Sequence, residues 1–223
     1  MKSIKSTARV AGALYLILIL CGIFAEKYVR TTIVDVVDGG KTIENITENV
    51  FLFRLGFISD LFMLLAYFLL PMVLYRIFKD THKWMAQTMV LGVSVAVAIL
   101  STNMLNHYAP LLLIPEEGFN SVQLKQQVLF YLRLHKEGYH IAQVFFGFWL
   151  FPLGYLVYRS KLFPNLIGIL LMVGCVGYLT DFVIHFLFTD DATLTAFITL
   201  PADLGEFSLC LFLLVKGVKA RTF

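Results

Sequence analysis

Residues 134–160 read LHKEGYHIAQVFFGFWLFPLGYLVYRS. A charged, histidine-bearing opening leads into about twenty apolar and aromatic residues, the length needed to cross a bilayer as a helix. The run stops on Tyr158-Arg159-Ser160. In lipid such a segment must satisfy its own backbone N–H and C=O groups, so it is helical. Comparable runs recur along the chain. With 137–158 as the fourth, the others fall at about 8–25, 51–78, 84–107, 166–188 and 197–215. The expected fold is therefore all-α: a polytopic bundle of six transmembrane helices forming one membrane domain over residues 1–223.

Composition agrees. The chain is 59% hydrophobic and only 15% charged, against roughly a quarter charged in soluble domains. Its mean hydropathy is +0.79. The net charge of +3 is not a nucleic-acid footprint, because the basic residues cluster at the ends of apolar runs; the expected partner is the lipid bilayer. Cys21, Cys175 and Cys210 lie inside apolar runs without a CxxC neighbour and read as buried thiols. The first run lacks an A-x-A cleavage pattern near residues 23–25 and reads as a retained helix.

Between the runs, residues 27–50 are polar and carry the turn signal Asp38-Gly39-Gly40-Lys41. Lys79–Lys83 and Arg159–Asn165 are tight connections, and Asp190-Asp191 mark a third. Residues 108–118, with Pro110 and Pro115, are too short to span. Residues 121–136 form an amphipathic helix expected at the interface, with Gly138 as the turn into the fourth span. The side holding both termini and the two shortest connections carries eleven of the 18 Lys and Arg residues, Lys2, Lys219 and Arg221 among them, and one acidic residue, Asp80. The positive-inside rule then places both termini in the cytoplasm.

Ionisable groups inside a span are costly and are functional candidates. Asp60 lies about 14 Å below the outer end of the second span at about 1.5 Å per residue; Glu206 is at similar depth in the sixth. Asp181 and His185 are four apart on the fifth, as are Asn103 and His107 on the third, so each pair shares a face. His140 and Gln143 open the fourth, and Arg54 enters the second from the same side. His135 and His82 read as surface residues. Five helices thus bring polar groups to the outer half, which implies an outward-facing polar cavity with its floor near Asp60 and Glu206.

Three functions use such a cavity. One is binding or transport of a small polar solute, cation or proton, with homo-oligomerisation to support alternating access. Another is a metal-dependent membrane enzyme in which His107, His140, His185, Asp181 and Glu206 supply zinc ligands and a general base, although no HExxH motif is present. The third is a non-catalytic subunit whose polar groups dock a partner helix. Gly168, Gly174 and Gly177 read as small residues that let helices approach closely. No Walker A, GxGxxG or GxSxG motif occurs.

RLGFISDLFMLLAYFLLPMVLYRIFK (54–79), GYHIAQVFFGFWLFPLGYLVYRSKLFPNLIGILL (138–171) and GEFSLCLFLLVKGVK (205–219) together resemble a bacterial family of polytopic integral membrane proteins catalogued only as a domain of unknown function. The resemblance runs from about Arg9 to Lys219. It implies a multi-span bacterial membrane protein and brings no activity, cofactor or catalytic residue; with both termini cytoplasmic, the expected location is the bacterial inner membrane.

Overall fold

The computed structural model describes residues 4–116, 118–188 and 192–218. Lys2, the Asp190-Asp191 connection, Lys219 and Arg221 lie outside the described residues. Those residues form seven helices and no strand: α1 (Ile4–Ile33), α2 (Gly39–Glu48), α3 (Val50–Phe78), α4 (Lys83–Leu113), α5 (Ser121–Ser160), α6 (Asn165–Leu187) and α7 (Ala192–Val215). All but α2 are long and apolar enough to cross a membrane, so the chain has the make-up of a six-span, multi-pass membrane protein. Large apolar side chains stay exposed along these helices, among them Leu61, Phe62 and Leu65 on α3 and Leu166, Val173 and Val176 on α6. Such faces are stable against lipid.

Four boundaries depart from the sequence reading. First, α1 does not stop at Glu26-Lys27. It continues two turns, with Phe24–Arg30 wound as a π-helix, a rare form that recurs at functional sites. Second, the Asp38-Gly39-Gly40-Lys41 signal starts a helix. The Asp38 carboxylate accepts the N–H groups of Gly40 (2.8 Å) and Lys41 (3.2 Å), which are among the donors a helix start leaves without partners. Third, α4 runs through Pro110 to Leu113. Proline has no N–H to give, but its own carbonyl still accepts from Ile114 N at 3.0 Å, so the last turn closes.

Fourth, residues 121–136 and the fourth span are one unbroken helix, α5, of 40 residues. Its length is about 60 Å at about 1.5 Å per residue, twice the hydrocarbon thickness of a bilayer. Part of the apolar face of its first half enters a protein core, while Val122 and Phe130 stay exposed. Val128 and Leu132 pack with Val29 and Ile33 of α1, Ile46 of α2 and Phe53 of α3 in a closed core.

The chain divides into two compact units. One contains Ile17–Leu65 and Ala98–Tyr139, and that closed core belongs to it. The other contains Met1–Leu16, Ala66–Val97 and His140–Phe223. Within the latter, small residues set the helix spacing. A Cβ on Gly154 would lie 2.6 Å from the Gly168 carbonyl oxygen, and one on Gly174 would lie 2.6 Å from Ala202 Cα. Gly168 and Gly174 are thus used for close packing of helix backbones. Trp149, fully buried, meets Tyr15 and Tyr67 with ring centroids 6.1 and 5.5 Å away.

Candidate functional site

The first unit brings a largely buried ion pair and two imidazoles together at one point. Arg30, carried on the π-wound stretch of α1, donates from Nη1 to Glu26 Oε2 at 2.9 Å and from Nη2 to Asp60 Oδ2 at 2.5 Å. Its Nη2 also lies 3.2 Å from His135 Nε2. A guanidinium can only donate, so His135 Nε2 is the acceptor and the ring proton sits on Nδ1. That proton points to the Asn103 backbone oxygen, 3.3 Å away. Asn103 answers by donating from Nδ2 to the His135 carbonyl at 2.7 Å, and Asn106 Nδ2 donates to Asn103 Oδ1 at 3.0 Å. The chain of bonds ties α1, α3, α4 and α5 together.

His107 completes the group without a hydrogen bond from Nδ1. Its ring stacks on Phe53 (4.7 Å between centroids, 16° between planes) and meets the His135 ring at 4.9 Å. His107 is 1% exposed and Asp60 3%. Two buried nitrogens in this cluster, Arg30 Nε and His107 Nδ1, have no hydrogen-bond partner among the described residues.

The second unit has a separate polar chain. Asp181, 2% exposed, accepts from Gln143 Nε2 at 2.6 Å and from Thr195 Oγ1 at 2.5 Å. Gln143 Oε1 lies 3.2 Å from His140 Nδ1. An amide oxygen only accepts, so His140 carries its proton there. The His140 and His185 rings stack face to face, 3.6 Å between centroids. Farther along α7, Glu206 accepts from the Tyr15 hydroxyl at 2.8 Å.

The candidate residues therefore fall into three groups. Asp60 and Asn103 join through Arg30 and His135. His140, Gln143, Asp181 and His185 join in one chain. Glu206 pairs with Tyr15, so Asp60 and Glu206, expected as one floor, each have partners of their own in different units. Arg54 is exposed on α3 and stays outside the Arg30 cluster. His135, expected at the surface, is buried and central. Among the described residues, no three His, Cys, Asp or Glu side chains gather as a metal site.

Arg30, Glu26, Tyr15 and Thr195 were not among the sequence candidates. Glu26 and Arg30 did leave a signal, an acid and a base four apart directly after an apolar run, which extends a helix by one turn. Tyr15 and Thr195 left none.

A family model described as a domain of unknown function, DUF4386, matches residues 10–217. The chain belongs to this family. The match covers every residue of both polar clusters in this DUF4386 protein, together with the Tyr15–Glu206 pair. An uncharacterized protein of Archaeoglobus fulgidus is 32% identical over 79 residues. That alignment takes in 35% of this chain and 46% of the archaeal protein, so the chain spans less than half of that relative's length. No solved structure matches the DUF4386 chain.

Proposed function

We propose that this protein binds a small polar solute or ion within the bacterial inner membrane and couples the event to a proton at the Arg30–Asp60–His135 cluster. The observation that carries the reading is the Arg30–Asp60 ion pair. It joins two membrane-spanning helices, with side chains 16% and 4% exposed. Charges placed there are expensive, and well-packed apolar residues often stabilise as well as a buried ion pair. A use beyond stability accounts for keeping them. Each charge neutralises the other, so a proton arriving on Asp60 releases Arg30 for another partner. His135 accepts from the same Nη2 through Nε2 and is held in that tautomer by the Asn103 carbonyl, so it positions the guanidinium against Asp60. The charge asymmetry of the connections supports an outward-facing position for the ends of α1 and α3 that carry Arg30 and Asp60.

The test is reconstitution into liposomes containing a pH-sensitive dye, challenged in turn with small carboxylates, amides and amines. Solute-dependent proton movement is expected in the wild-type protein. It is expected to vanish in Asp60→Asn, with folding checked by monodispersity. Wild-type flux in a folded Asp60→Asn variant would reject the reading.

A further inference from the structure

We infer that Arg30 Nε–H and His107 Nδ1 form a binding site for a small monocarboxylate, which enters together with one proton. The inference rests on the function proposed above and names its ligand.

Two buried nitrogens of one cluster lack partners among the described residues. They are linked through His135, whose Nε2 lies 3.2 Å from Arg30 Nη2 and whose ring lies 4.9 Å from that of His107. Buried polar groups in folded proteins are nearly always bonded, and exceptions point to an occupant. Arg30 Nε can only donate, at any pH. The occupant therefore presents an acceptor atom, which disfavours a cation. Arg30 Nη1 is already engaged by Glu26, and Nη2 by Asp60 and His135. Nε is the unused half of the guanidinium edge, and a guanidinium edge takes a carboxylate with two parallel bonds. The Phe53 ring stacked on His107 supplies an apolar wall, suited to a short hydrocarbon body.

Charge balance brings in the proton. Arg30 already faces two carboxylates, Asp60 and the more exposed Glu26. The other titratable groups around the site are His107 and Tyr108 on α4 and His135 on α5, while α2 contributes Ile43 and Ile46 to the neighbouring core. A third carboxylate alone would meet uncompensated negative charge in a low-dielectric site. One proton on Asp60 removes that charge and frees Nη2, so the incoming carboxylate then spans Nε and Nη2 while His107 Nδ1 donates to it.

The experiment is titration calorimetry on the full chain in lipid nanodiscs with propionate, acetamide and methylammonium. Each is measured at pH 6 and pH 8, in two buffers of different ionisation heat. Propionate is expected to bind alone of the three, up to tenfold more tightly for each pH unit lowered. The heat difference between buffers should correspond to one proton taken up per propionate. His107→Phe keeps the ring stack and removes Nδ1; Arg30→Lys keeps the charge and removes Nε. Each should weaken propionate at least tenfold. Preferential binding of methylammonium or acetamide overturns the inference. So does propionate binding without proton uptake, or unchanged affinity in both folded variants. Should neither variant fold, the proton count in the wild-type protein decides. The flux of Asp60→Asn is scored with any solute, so it judges the underlying reading separately.

Discussion

Replacing Gly138 by alanine adds one methyl group where α5 already touches α4. The new Cβ would lie 2.7 Å from Asn103 Nδ2 and closer still to Oδ1 and Cγ. Carbon atoms prefer separations of about 3.5–4.0 Å, so the amide must retreat by about 1 Å. That movement breaks its 2.7 Å bond to the His135 carbonyl in a buried place. An unmade buried bond costs about 1–3 kcal/mol, and overpacking adds about 1–3 kcal/mol. Alanine returns about 1 kcal/mol through its better helix propensity. The net expectation is a loss of about 3 kcal/mol, read as a fall in the midpoint of thermal or SDS-induced unfolding in mild detergent. Two comparisons sharpen it. Gly118→Ala meets nothing within 4 Å and should be close to neutral. Asn103→Ala should itself destabilise, and adding Gly138→Ala to it should cost little more, since the methyl group then enters vacated space. A Gly138→Ala protein as stable as wild type, or a double variant as unstable as the sum of the singles, would refute the reasoning.

Other consequences can be checked alongside it. Gln143→Leu removes the amide that bridges His140 Nδ1 and Asp181 Oδ2; a loss of about 1–3 kcal/mol is expected in the same unfolding assay, and no loss would mean the chain contributes nothing to stability. Between α1 and α2, the N–H groups of Asp38 and Val37 both bond to Asp35 Oδ1 and, with Lys41, hold its carboxyl below the usual carboxylate range. Its stabilising effect is therefore complete above the unfolded value of about 4 and fades as pH falls through the lower folded value. Hydrogen exchange of the Val37 and Asp38 amides should quicken, relative to unstructured amides, as pH drops below about 4; unchanged protection at pH 2–3 would count against it.

The six spans were legible because lipid imposes a length and a composition that few other environments demand. Asp60 and Asp181 stood out for the same reason, as charges in apolar surroundings. What stayed hidden was set by contacts distant in sequence. His135 sits beside Lys136 and Glu137 and reads as surface; its burial depends on Asn103, 32 residues away. Arg30 reads as loop because the apolar run ends at Ala25, yet the helix continues once Val29 and Ile33 have a core to enter. The polar stretch that follows hides α2, whose apolar positions Ile43 and Ile46 are too few to mark a helix on their own. The first half of α5 showed its amphipathic face plainly. What it could not show was that Val128 and Leu132 on that face enter a core with α1, α2 and α3.

The π-wound stretch of α1 has a bearing on how relatives should be compared. An α-helix advances about 100° per residue, so one residue more or fewer before Arg30 would swing its side chain to another face of the helix. Winding, as much as residue identity, aims this arginine at Asp60. A π turn holds about one residue more than an α turn, so a homologue one residue shorter between its apolar run and the same arginine keeps that aim only if this stretch winds as α. A single-residue gap near position 25 therefore has to be weighed together with the winding of this stretch before an arginine beside it is counted as the same residue.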